Sequence, residues 1–192
     1  MYSNWHRAIG ASVILIGLAG CSSNRVEPIS AADATWTENV QVAAIHIERN
    51  NPDVPVVVMD NLARHLRIVM DSCVVGERNV DMRVRVDNFE GNSTAAAILI
   101  GDTTGLSGTV LLEDPETGAT QGEYYVDSVQ SGGGLIGAAV LSGSEDGMPL
   151  MFAEQVCEDV FAGVPPERAD ASSPSTLSPR EMELEEREAV DE

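Results

Sequence analysis

Three cysteines, three histidines and 31 carboxylates are among the side chains of this 192-residue sequence able to serve as nucleophiles, ligands or acid–base groups. Cys21, Cys73 and Cys157 are widely separated, and neither His46 nor His65 falls in a motif that sets it beside a thiol, so no cysteine–histidine nucleophile is spelled out. The histidines lack metal-ligand spacing and read as a strand residue (His46) and a helix-surface residue (His65). Among so many carboxylates some fall together by chance. Glu113, Asp114 and Glu116 flank a turn, and Glu145-Asp146 sit among glycines. Glycoside hydrolysis needs two carboxylates fixed across a sugar cleft, and a chain with 4% aromatic residues has little surface to line one. Solvated turns are the plainer reading. Gly132-Gly133-Gly134-Leu135-Ile136-Gly137 matches G-x-G-x-x-G, but a dinucleotide fingerprint requires a parallel strand–helix–strand unit, and the preceding strand here reads as half of an antiparallel hairpin. Two readings of that run stay open: a glycine loop leading into a packed helix, or an association surface where the small residues Gly133 and Gly137 let a partner approach Leu135 and Ile136. No G-x-S-x-G, Walker A or EF-hand pattern is present. The expectation is a protein without cofactor, metal or catalytic activity.

Charge narrows the partners. All 11 basic residues are arginine, and against the 31 acids they leave a net charge of −20. Nucleic acids and anionic lipid headgroups are polyanions, so neither is an electrostatic partner.

The first twenty residues read as an address. Met1–Arg7 is short and basic, and Ala8–Gly20 is an uncharged run of Ile, Leu, Val and small residues, long enough for a signal-peptide core and too short to span a bilayer. It ends in Leu18-Ala19-Gly20-Cys21, which resembles the lipobox of bacterial lipoproteins at all four positions. The resemblance implies a diacylglycerol on the Cys21 thiol, cleavage before Cys21 and acylation of the new amine. Each acyl chain contributes about 0.8 kcal/mol per buried methylene, so two or three chains anchor stably without a transmembrane helix. Ser22 follows the cysteine where an aspartate would favour inner-membrane retention, so the resemblance implies the outer membrane, facing the periplasm. With Cys21 carrying lipid, Cys73 and Cys157 remain as an even pair in an oxidising compartment. Two readings stand: a disulfide between them, or two separate buried thiols.

The elements that must hold these residues follow from periodicity. Residues 21–38 are polar and small, and read as a lipidated tether with a root-mean-square reach of about 23 Å. Val40–Ile47 reads as a buried strand. Met59, Leu62, Ala63, Leu66, Val69, Met70 and Cys73 recur at helical spacing and predict an amphipathic helix. In Asn79–Asn88, Val80, Met82, Val84 and Val86 alternate with Asp81, Arg83, Arg85 and Asp87, a half-buried strand with one charged face. Ala96–Ile100 fits either a short strand or a helical turn. Leu106–Leu112 and Glu123–Val129, joined by a turn at Asp114–Gly118, read as a hairpin. Ala153, Val156, Cys157, Val160 and Phe161 form a second helical stripe, stopped by Gly163 and Pro165-Pro166. Residues 164–192 are rich in Pro, Ser and Glu, with too few apolar groups for a core, and read as an acidic disordered tail.

The expected architecture is α+β: an antiparallel sheet of about four strands with two amphipathic helices on one face, spanning residues 39–163 between the tether and the tail. The stretches Val84–Gly91 and Gly108–Gly118, followed by the glycine run, are similar to small periplasmic lipoprotein domains of the TolB amino-terminal and curli-secretion type. That likeness supplies no catalytic residues. It implies a role in envelope assembly or scaffolding, through contact with another envelope protein or a second copy of the chain. A small-ligand-binding lipoprotein is the alternative.

Overall fold

The computed structural model describes residues 22–37, 39–92, 101–133, 139 and 141–166. In chain order these form β1 (Ser22–Ser30), α1 (Ala34–Thr37), β2 (Val40–Arg49), α2 (Val56–Cys73), β3 (Arg78–Glu90), β4 (Asp102–Glu113), β5 (Thr120–Gly132) and α3 (Ser144–Gln155), which runs on into a π-helical turn at Val156–Val160.

One five-stranded sheet, in the order β1-β5-β4-β3-β2, carries the fold. The class is α+β, with two corrections. The expected sheet was wholly antiparallel, yet β2 and β3 pair parallel. Helix α2 lies between them and brings the chain back to its starting end, as a crossover connection must. The expected tether is also strand in part: Ser22–Ser30 adds to the free side of β5, with Val26 opposite Val126 and Ser22 opposite Gln130. A polar sequence suffices there, because an edge strand gains backbone hydrogen bonds without burying its side chains, and eight of its nine residues are exposed. The α1 segment that follows packs Ala32 and Trp36 against the core.

The alternation in β3 plays out as its pattern requires. Val80, Met82, Val84 and Val86 are fully buried, and they face Leu106, Val110, Leu112 and Val126 of the neighbouring strands within one core. Over that face lie α2, contributing Val58, Leu62, Leu66, Val69 and Met70, and α3, contributing Met148, Phe152 and Ala153. The opposite face of the sheet has no helix over it among the described residues.

The second helical stripe is buried as expected at Ala153, Val156, Cys157, Val160 and Phe161, but the α-helix begins earlier, at Ser144, and becomes π-helical over Val156–Val160. Pro149 lies inside α3 and cannot donate to the carbonyl of Glu145. Asn61 on α2 donates its Nδ2 to that carbonyl at 3.0 Å instead, so the group that proline leaves over becomes a tie between the two helices. The stop falls one residue before Gly163. Ala162 takes the left-handed conformation (φ 51°), and the Gly163 N–H reaches back six residues to the Cys157 carbonyl at 2.9 Å, closing the π-helical turn.

Candidate functional site

The sheet has two distinct ends, and the sequence-predicted residues divide between them. Strand β1 starts where β5, β4 and β3 have Gln130, Asp102 and Glu90, and β2 ends there at Arg49. Cys21 lies outside the described residues, but Ser22, its neighbour in sequence, opens β1 at this end. Gly133, just past β5, lies at the same end, against Gly101. Leu135, Ile136 and Gly137 lie outside the described residues, as do Ala96–Ile100 and residues 167–192.

At the other end Cys73, the last residue of α2, is joined to Cys157 in the π-helical turn, with a Cα–Cα distance of 6.0 Å and a sequence separation of 84. Of the two readings left open by the sequence, the structure shows the disulfide. It links two helices that already touch along their length. Gly163 lies on the sulfurs: a Cβ there would overlap Cys73 Sγ and crowd Cys157 Sγ at 3.2 Å.

His65 does not sit on the helix surface as expected; it is 8% exposed, in the seam between α2 and α3. Its Nε2 is 2.9 Å from Asp146 Oδ1, and Arg64 donates to the same oxygen at 2.5 Å. The hydrogen bond with His65 leads the effects that hold the Asp146 carboxyl below its ordinary range; burial opposes this, and Arg64 adds to it. Nothing in the local sequence marks this pair, which is 81 residues apart. A deeper polar contact joins β5 to α3: Ser128 donates to Gln155 Oε1 at 2.6 Å, while Gln155 Nε2 is buried without a partner among the described residues.

The helix-free face of the sheet is laced by charge. Arg83 bridges Glu48 on β2 (2.5 Å) and Glu113 on β4 (3.2 Å), and Arg85 reaches Glu123 on β5 at 3.2 Å. Hydrogen bonding to Glu113, then to Glu48, raises the Arg83 pKa further above its already high value. At the hairpin turn the N–H groups of Thr117 and Glu116 donate to Asp114 and depress its carboxyl. His46 lies on this same charged face, in register with Arg83. Among the described residues no group of three histidines, cysteines or carboxylates is placed to hold a metal ion, and no helix is long and apolar enough to cross a membrane.

Two features are shaped for contact. The outer edge of β2 has no neighbouring strand among the described residues. Its first eight residues, Val40–Ile47, hold no proline and no acidic or basic residue apart from His46. The other edge, β1, carries Pro28, a register shift beside it and the Arg25–Glu27 ion pair, devices that discourage strand addition. Beneath β1 a groove of about 590 Å³ runs between Asn24, Val26, Tyr124 and Val160. Tyr124 Oη already accepts the Ala32 N–H there at 2.9 Å.

No family model matches the chain, and no curated protein does. Among solved structures, PelC from Paraburkholderia phytofirmans, described as a dodecamer, aligns at a TM-score of 0.39 and 14% identity over 71% of this chain and 97% of its own. A protein from Caulobacter crescentus CB15, described as a candidate lipoprotein, aligns at a TM-score of 0.37 and 12% identity over 67% of this chain and 92% of its own. Likenesses of this strength say nothing about role.

Proposed function

We propose that this chain is a lipid-anchored protein of the bacterial envelope, held in the outer membrane facing the periplasm, that works by protein contact and catalyses nothing. The Leu-Ala-Gly-Cys sequence at residues 18–21 supports the anchor, and Ser22 supports the outer membrane. The Cys73–Cys157 disulfide suits an oxidising compartment. Several side chains with chemical capacity have structural employment: His65 and Asp146 tie α2 to α3, and Arg83 and Arg85 of β3 tie the strands.

The observation that carries the contact reading is the outer edge of β2, which has no proline and no acidic or basic residue over Val40–Ile45 and one register shift, between Val42 and Ala44. An edge of this length presents a row of backbone donors and acceptors on one side, and a strand from another protein or from a second copy can pair with it. A photoreactive residue placed at Ala43, which is exposed on that edge, is expected to crosslink in intact cells, and one at Glu116 on the hairpin turn is not. With the photoreactive residue kept at Ala43, the added substitution Gln41→Lys, also exposed on that strand, is expected to lose at least tenfold of the crosslinked product while the melting temperature stays put. Equal labelling from both positions removes the contact reading.

A second reading, small-ligand binding, rests on the groove beneath β1. A molecule seated there would raise the melting temperature, and Val26→Trp, which fills the groove, would abolish that rise.

A further inference from the structure

We infer that the protein stands on its membrane in one orientation: the end of the sheet formed by the start of β1, the end of β5 and the start of β4 lies against the bilayer, and the acidic hairpin turn faces away. The inference rests on the lipidation of Cys21 proposed above and goes beyond it, because an anchor alone does not fix orientation.

The first argument is the length of chain available. A lipoprotein whose acylated cysteine is followed by a flexible segment can tumble over its membrane. Here Ser22, adjacent to Cys21, already pairs with Gln130 of β5, and the ladder continues through Ser30. One peptide link spans about 3.8 Å between Cα atoms, so the thioether is tied almost directly to a corner of the sheet. The acyl chains must enter the bilayer at that corner.

The second argument is charge. Gln130, Gly132, Gly133, Gly101 and Asn92 share this end with Ser22; its strands contribute the acids Asp102 and Glu90, and Asp53 before α2 and Glu145 and Asp146 in the first turn of α3 lie toward it on the helix side. The sequence around Gly101 and Gly133 is uncharged over residues 91–101 and 131–144. The opposite end holds Glu113, Asp114 and Glu116 at the hairpin turn and Glu158 and Asp159 in the π-helical turn. A chain with a net charge of −20 near anionic headgroups is repelled less when the corner at Ser22, Gly101 and Gly133 approaches than when the hairpin turn with its three carboxylates does. Toward the far end, too, Gly163 rests on Cys73.

The test uses the full chain, produced in a bacterial host that processes lipoproteins and reconstituted in vesicles of phosphatidylethanolamine and phosphatidylglycerol. Palmitate incorporation is measured on each sample. Thr103→Cys and Glu116→Cys, both exposed and outside the disulfide, are labelled in turn with a donor dye, and energy transfer is read to an acceptor on the headgroups. The expected result is a Glu116 dye about 30 Å farther from the headgroups than the Thr103 dye, the rise of some ten residues of strand. Inserting a flexible spacer of about twelve Gly and Ser residues between Cys21 and Ser22 is expected to bring the two distances together. Equal distances, or a nearer Glu116, in a protein that takes up palmitate overturn the orientation and leave lipidation standing. A protein that takes up no palmitate overturns both.

Discussion

Ala162 shows how much hangs on one backbone angle. Its left-handed φ of 51° closes the last helix and turns the chain so that Gly163 can lie on the disulfide. Any side chain in that region costs about 1–2 kcal/mol, and glycine avoids the cost. Ala162→Gly is therefore expected to stabilise the protein by about 0.5–1 kcal/mol, raising the melting temperature by about 2–4 °C in a chain of this size. Gly163→Ala is the opposite case, since its Cβ has no room beside Cys73. At the same scale, Asp146 makes stability depend on pH in a definite direction. Its carboxyl is held below the ordinary 3.8 by His65 first and then Arg64. A carboxyl whose folded pKa is depressed stabilises the fold above its unfolded pKa, and that contribution is lost as the pH falls through the folded pKa. Asp146 is largely exposed, so solvent screening keeps the contribution to a few tenths up to about 1 kcal/mol. Asp146→Asn is expected to melt lower than the parent at pH 7 and level with it near pH 2, as read by thermal scans at the two values.

At the scale of elements, the disulfide and the first strand are the places where the fold is most and least secured. Cys73 and Cys157 close a loop of 84 residues, for which the chain-entropy model gives about 4–5 kcal/mol. Cys73→Ser with Cys157→Ser is expected to cost about 2–5 kcal/mol in urea unfolding. The parent in reductant should reproduce the double variant. β1 is held along one side only, with eight of its nine residues exposed, whereas β5 is flanked by β1 and β4 and packs Tyr124, Val126 and Ser128 inward. Its backbone amides are expected to exchange with solvent at least tenfold faster than those of β5. Equal protection of the two strands would mean that β1 opens only with the whole domain.

Periodicity made much of this element layer legible. The alternation in β3, the hairpin of β4 and β5, and the stripes of α2 and of the last helix each report a buried face through local spacing. β1 escaped because its polar residues carry no such pattern; its strand state comes from the free edge of β5, more than ninety residues away in sequence. The candidate site divides the same way. The disulfide cysteines were legible as an even pair on two apolar stripes, although their pairing was not. The His65–Asp146 contact and the Asn61 tie to the carbonyl freed by Pro149 had no local signature at all.

For the whole molecule, the dominant quantity is the imbalance of 31 acids over 11 arginines. The arginines of β3 are occupied with Glu48, Glu113 and Glu123, so the excess negative charge is spread over the surface. Self-repulsion opposes the compact state, and salt screens it over a Debye length that shrinks from about 30 Å at 0.01 M to about 3 Å at 1 M. Raising sodium chloride from 10 mM to 500 mM is therefore expected to raise the melting temperature by a few degrees; a fall would mean that the cross-strand ion pairs outweigh the repulsion. The same charge bears on how the protein meets its surroundings, since the hairpin turn with Glu113, Asp114 and Glu116 lies at the end of the sheet remote from the first residue after Cys21.

Read alone, the sequence determined the class of the fold, the buried face of each main element and the resemblance of its first twenty-one residues to an export and lipidation signal, because these depend on residue type and spacing along a few turns or strand residues. Tertiary structure alone decided that β2 and β3 run parallel, that Ser22–Ser30 is strand, that Cys73 meets Cys157, and that the residue beside Cys21 lies at one end of the sheet while the C-terminal helix finishes at the other. The reason is physical: strand order and helix pairing are set by which surfaces remain free once the core has closed, and that information is held by no single segment of the chain.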